Sequence, residues 1–278
     1  NLFRRRGEYE RAVRVHEHLL SRGDLGLRDR QRAQHALALD YLKAGLLDRA
    51  EAALFKLEGT PFEAEARLSL LASYERSRDW PQAALIAQKL TASKQGRFQA
   101  RLGHYLCEKA ATCLSKQQPQ QALAALREAV ATAPESARPR LDLARLLMVQ
   151  GDPLAAYMTL VEAIDASPAA MPLIASPLAD YALSAGKTKD ALQLLRANYD
   201  ISPSLDVLDA IVLLEASSKE ASPSARDWYV RHLEREPSLV AAAKWIAGEK
   251  LEHEQFHPQV QRALDHAVKP LTRYRCAA

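Results

Sequence analysis

Small apolar residues return along the chain at a nearly constant interval. Ala122, Ala156, Ala191 and Ala225 stand 34, 35 and 34 residues apart. Each is followed twelve residues later by a proline, at Pro134, Pro168, Pro203 and Pro237. Four residues after the small residue comes a larger apolar one: Leu54, Leu126, Leu160, Leu195 and Tyr229. Residues four apart share one face of a helix. The spacing therefore predicts a helix that spans each alanine and ends at the proline, which lacks an N–H and disfavours helix at the residue before it. Twelve residues before each small residue sit Ala38, Leu71, Ala110, Ala144, Ala179 and Leu213. These predict the buried face of a preceding helix, and the alanines among them imply close helix–helix contact. Glycines five residues before Ala12, Ala50, Ala156 and Ala191, at Gly7, Gly45, Gly151 and Gly186, mark the turn between the two helices.

A helix pair repeated about every 34 residues is the tetratricopeptide pattern. The upstream units are less even, with Ala12, Ala50, Ala83 and Ala122 separated by 38, 33 and 39 residues, which predicts longer connections there. Tyr41 and Tyr74 occupy the place where such repeats favour tyrosine. The expected fold is all-α: a helix-turn-helix repeat solenoid forming a right-handed superhelix. The expected organisation is a repeat array over 1–237 with a truncated first repeat, capping helices over 238–268 (near 238–252 and 258–268), and a linker over 269–278. Asn1, Leu2 and Phe3 read as the last turn of a helix whose start is absent.

Charge and cysteine usage narrow the functional classes. Lysine and arginine total 38 against 34 aspartate and glutamate, a net +4. These charges are dispersed and form no concentrated basic stripe, which argues against nucleic-acid binding. The three cysteines, Cys107, Cys113 and Cys276, are too few and too irregular for a disulfide framework. Cys107 and Cys113 are six apart, off any shared helix face, and read as small packing residues. No apolar run approaches the roughly 20 residues needed to cross a bilayer.

One motif points to catalysis. His253-Glu254-Gln255-Phe256-His257 has the H-E-x-x-H spacing of a zinc hydrolase, which needs both histidines on one face of a continuous helix. Pro258 follows the second histidine directly and ends such a helix, so the expectation is a polar junction and no enzyme. No catalytic set and no cofactor site is expected in this chain.

The expected working surface is the groove formed by the first helix of each pair, which can hold a protein segment. Counting from the small residue, inward-facing positions are Arg32, His35, Lys43, Glu65, Arg76, His104, Arg138, Arg145 and Asp180. Arg138 and Arg145 are expected two helical turns apart on one face, able to grip carboxylates. Leu173, Leu183, Val207 and Leu214 are expected to make the later part of the groove apolar.

Three segments carry a resemblance. They are the opening Asn1-Leu2-Phe3-Arg4-Arg5-Arg6-Gly7-Glu8-Tyr9-Glu10-Arg11-Ala12, the stretch from Asp40 through Tyr41, Leu42, Lys43, Ala44 and Gly45 to Glu51, and the end Lys269-Pro270-Leu271-Thr272-Arg273-Tyr274-Arg275-Cys276. Together they resemble the lipopolysaccharide assembly protein B family of Gram-negative bacteria. The resemblance implies an adaptor at the cytoplasmic face of the inner membrane, held there by an N-terminal membrane helix. It implies partners: the protease FtsH, the deacetylase LpxC whose degradation the adaptor promotes, and a regulatory inner-membrane protein. A second copy of the chain, forming a homodimer, is the remaining candidate partner, and the sequence leaves the oligomeric state open. The alternative is a scaffold that assembles lipopolysaccharide-synthesis enzymes without directing proteolysis. The family's C-terminal metal knuckle, a zinc or iron site, begins Tyr-Arg-Cys, so Cys276 stands as its first ligand; the further cysteines of that knuckle do not follow in this chain.

Overall fold

Gly151, Asp152 and Pro153 show how the sequence turns one helix into the next. Gly151 adopts φ +84°, the left-handed region that glycine enters at no steric cost. Its N–H donates to the Met148 carbonyl at 3.0 Å and the Asp152 N–H to the Leu147 carbonyl at 3.0 Å, which closes the helix in a Schellman turn. The Asp152 side chain then accepts from the Ala155 N–H at 3.0 Å and caps the next helix. Pro153 supplies a first residue whose missing N–H has no partner to lose. The same pair of closing bonds recurs at Gly45 and Gly186, and at the non-glycine residues Arg78 (φ +56°) and Gln117 (φ +58°).

The computed structural model describes residues 2–92, 98–217, 225–236, 238–247, 260 and 262–263. The described residues form helices only: α1 (Leu2–Arg5), α2 (Tyr9–Ser21), α3 (Leu27–Ala44), α4 (Leu47–Phe55), α5 (Glu63–Ser77), α6 (Trp80–Ala92), α7 (Gln99–Ser115), α8 (Pro119–Thr132), α9 (Ala137–Val149), α10 (Pro153–Ala166), α11 (Met171–Ala185), α12 (Thr188–Ile201), α13 (Leu205–Ala216), α14 (Ala225–Arg235) and α15 (Leu239–Ala247), with a short 3-10 turn at Pro168–Ala170. The chain divides into two compact units, Asn1–Pro139 and Arg140–Ala278.

In the first unit the register residues Ala50, Ala83 and Ala122 are fully buried, and Leu54 and Leu126 beside them are 1% exposed. Burying a leucine of this kind contributes about 1.5–3 kcal/mol. A buried aspartate adds a polar lock. Asp40 on α3 is fully buried and accepts from the Arg4 Nε of α1 at 2.5 Å. It also accepts from His16 Nδ1 of α2 at 2.5 Å. His16 Nδ1 lies 3.1 Å from the Ala12 carbonyl as well. Both neighbours are acceptors, so that ring nitrogen carries the proton. The Arg4 Nη2 donates to the Ala36 carbonyl at 2.8 Å, and three helices thus meet at one carboxylate.

Gly103 inside α7 is required by close approach. A Cβ placed there would stand 2.8 Å from the Ala133 Cβ, 3.7 Å from the Ala129 carbonyl oxygen and 4.0 Å from Pro139 Cγ. The Ala133 methyl is fixed to backbone and cannot swing away. Gly103→Ala is therefore expected to destabilise the first unit, although alanine is favoured over glycine inside a helix by about 1 kcal/mol. The double change Gly103→Ala/Ala133→Gly is expected to recover most of the loss in urea denaturation; no recovery would place the cost elsewhere.

In the second unit Ala156, Leu160, Ala191 and Leu195 are fully buried, as their register predicts. Helix α13, the first of its pair, departs from that register. Leu213 was expected in the core and is 40% exposed, whereas Val207 and Leu214, expected in an apolar groove, are fully buried. Successive helical residues are rotated by about 100°, so a count wrong by one residue exchanges an inward for an outward position. Leu233 of α14, Ala241, Ala242 and Trp245 of α15, and Val260 and Ala263 form an apolar cluster, with Tyr229 of α14 packed against it.

His232, 2% exposed, shares a 2.8 Å hydrogen bond with the Tyr199 hydroxyl. Burial pushes the imidazole below its ordinary value of 6.5, against the pull of Glu236 and Asp209. The unfolded chain therefore takes up this proton first as pH falls. This histidine costs no stability above about pH 6.5, and the loss grows as pH drops from there to the folded value. Urea midpoints at about pH 7.5 and about pH 5.5 should differ less in His232→Gln than in the parent; equal differences would contradict this.

Candidate protein-binding face

Each first helix of the first unit leaves one stripe uncovered. On α3 it runs Arg32, Ala36, Leu39, Lys43; on α5 Glu65, Ser69, Ala72, Arg76; on α7 His104, Glu108, Ala111, Ser115. All twelve are exposed or half-buried, and the spacing of three to four residues keeps each set on one side of its helix. Helix α3 packs against α5, and α7 is tied to α5 through Glu75. Equivalent positions therefore form rows: Leu39, Ala72 and Ala111 across the middle, Lys43 and Arg76 along one edge. Leu68 and Leu114, 44% and 42% exposed, add apolar surface.

Ion pairs tie one helix of the face to the next. The Glu75 carboxylate of α5 accepts from Arg101 Nη2 of α7 at 2.7 Å and from the Tyr105 hydroxyl. Burial alone would raise the Glu75 carboxyl, but these bonds outweigh it and hold the group below the ordinary carboxylate range. Burial, with the bond to Glu75, pushes the Tyr105 hydroxyl up to about 12. Tyr105 also stacks on Trp80, ring centroids 6.2 Å apart and 17° from parallel. Next along, Arg138 donates through Nη1 to His104 Nδ1 at 2.5 Å and through Nη2 to Glu108 at 2.6 Å. Arginine only donates, so His104 Nδ1 is an unprotonated acceptor here.

The expected groove residues fall into distinct states. Arg32, Lys43, Glu65, Arg76, His104, Arg138, Arg145 and Asp180 are exposed. His35 is half-buried: its ring packs on Phe62 at 5.5 Å, its Nε2 is buried without a hydrogen bond, and burial lowers its pKa. Arg138 and Arg145 were expected to grip a client's carboxylates. In the chain alone Arg138 holds Glu108, and Arg145 Nη1 donates to Asp142 at 3.0 Å. In the second unit Leu173 is 71% exposed and Leu183 half-buried, so the expected apolar surface there keeps these two without Val207 and Leu214. Glu75, Arg101, Tyr105 and Trp80 escaped the sequence reading. The 34-residue separation of His104 and Arg138 signals neighbouring equivalent positions; the Glu75–Arg101 pair leaves no such trace.

Cys107 and Cys113 are buried in α7, in line with a packing role. Cys276, His253, Glu254 and His257 lie outside the described residues. Among the described residues no three His, Cys, Asp or Glu side chains are grouped as a metal site would require. None of the described helices is long and apolar enough to cross a membrane.

Comparison with known proteins agrees with this architecture. The tetratricopeptide repeat family model matches residues 114–181. Lipopolysaccharide assembly protein B of Escherichia coli strain K12 is 26% identical over 283 residues, covering 99% of this chain and 72% of that protein. Its namesake in Haemophilus influenzae is 31% identical over 169 residues, covering 60% of this chain and 42% of that protein. Among solved structures, Naa15/Naa10 bound to HypK-THB shares the fold at a TM-score of 0.56 and 16% identity, over 96% of this chain and 40% of that one. Helical throughout its described residues, the chain has a tetratricopeptide-repeat fold and is similar to lipopolysaccharide assembly protein B along nearly its whole length.

Proposed function

We propose that this chain is a non-enzymatic adaptor in lipopolysaccharide assembly that holds protein clients on its first-helix faces. The carrying observation is the alignment with lipopolysaccharide assembly protein B over 99% of the chain. In the finer reading, the client is the LpxC deacetylase and the adaptor promotes its degradation by the FtsH protease at the cytoplasmic face of the inner membrane. A regulatory inner-membrane protein is the further partner in this reading, and Cys276 would be the first ligand of a zinc or iron knuckle.

The mechanism is effective concentration. One surface retains the deacetylase and another part engages the protease, so a bimolecular encounter becomes an intramolecular one. This chain makes and breaks no bond in that scheme. The test is the lifetime of LpxC after translation is stopped, in cells that carry or lack this protein. A shorter lifetime with the protein present is the expected result. Association with several synthesis enzymes at unchanged lifetimes would favour the scaffold instead.

A further inference from the structure

The cations on the first-helix face of the first unit fall into two groups. Arg101 and Arg138 are held by Glu75 and Glu108 at 2.7 and 2.6 Å. Arg32, Lys43 and Arg76 are exposed and make no hydrogen bond or ion pair with any described residue. Glu65 is the acid on the same stripes whose carboxylate likewise makes no hydrogen bond or ion pair among the described residues. Among the described residues the face therefore carries more unpaired cations than unpaired acids.

The placement of that excess is specific. Lys43 lies in the last turn of α3 and Arg76 in the last turn of α5. They occupy the same register position in two helices that pack together. The helix dipole accounts for a cation in each last turn, but not for the surface beside them. There Ala72 and Ala111 are exposed, and Leu68 and Leu114 offer uncovered apolar area. The two alanines of the middle row let a partner's backbone come close, and the leucines can take up its apolar side chains. Charge at the rim steers an oppositely charged partner and fixes its register.

We propose that this face docks an acidic amphipathic segment of a client protein, its carboxylates on Lys43 and Arg76 and its apolar side chains on Leu68, Ala72, Ala111 and Leu114. The inference rests on the protein-binding reading above and adds the chemistry of the partner. A few cations on a face of alanines and leucines suit a peptide better than a nucleic acid, whose binding relies on many phosphate contacts and base stacking.

The test is fluorescence anisotropy with the 278-residue chain and two labelled synthetic peptides. Both carry the same leucine face; one has glutamate and the other lysine on its polar face. The glutamate peptide is expected to bind saturably, more weakly as salt is added, and the lysine peptide not to bind. Lys43→Glu/Arg76→Glu should weaken binding roughly tenfold or more, since two attractions become repulsions. Lys43→Gln/Arg76→Gln should weaken it less and keeps good helix formers. A charge-matched control, Lys56→Glu/Arg127→Glu, alters exposed positions at the end of α4 and on α8 and should leave binding unchanged. Equal binding of both peptides, binding of neither, or indifference to the rim variants would overturn the inference. The protein-binding reading is judged separately, on deacetylase binding by the intact chain, and survives if that binding is insensitive to Lys43 and Arg76.

Discussion

Asp40→Ala is expected to destabilise the first unit by about 3–5 kcal/mol, the usual cost of removing one partner from a buried ion pair. Asp40 has no solvent contact, and Arg4 and His16 beside it are only 17% and 15% exposed. Without the carboxylate, a guanidinium and an imidazole N–H face each other with the acceptor gone. The effect should be local. Amide exchange should accelerate in α1, α2 and the middle of α3, while α10 to α12 keep their protection. Asp40→Asn keeps one acceptor oxygen but sets an NH2 group against existing donors, so it should rescue little. A loss below about 1 kcal/mol would show that the three helices are held by apolar packing alone.

The second large effect contrasts two leucines. Leu160→Ala removes a fully buried side chain and should cost about 2.7–5 kcal/mol through lost burial and a residual cavity. Leu213→Ala, at a position 40% exposed, should cost under about 0.5 kcal/mol. The spacing alone assigns both to the core. Urea denaturation of the two variants therefore tests the rotation of α13 as well as the burial of Leu160; similar losses would contradict the observed orientation of Leu213.

That contrast marks how far the sequence could be read. Ala50, Ala122, Ala156 and Ala191 were legible because a helix packed on both sides admits only a small residue at its closest approach, and the same constraint returns with each repeat. The turn at Gly151 was legible for a local reason, a left-handed residue followed by a capping aspartate and a proline. Leu213 was misread because its position was counted back from Ala225 across a connection of unknown length. The role of Asp40 leaves no mark in the sequence, because Arg4 and His16 meet it from 36 and 24 residues away. On the candidate face, exposure of Arg32, Lys43 and Arg76 followed from helical periodicity. The engagement of Arg138 with His104 and Glu108 did not, because periodicity assigns a face and not a hydrogen-bond partner.

The most direct test of a protein-binding face is calorimetric titration of this chain with purified LpxC, beside Leu68→Glu/Leu114→Glu. Both leucines are exposed, so the variant should fold and melt like the parent. Saturable binding by the parent, weakened at least about tenfold in the variant, is the expected result. No binding by the parent, or equal binding by both, would contradict the assignment of this face as the client site.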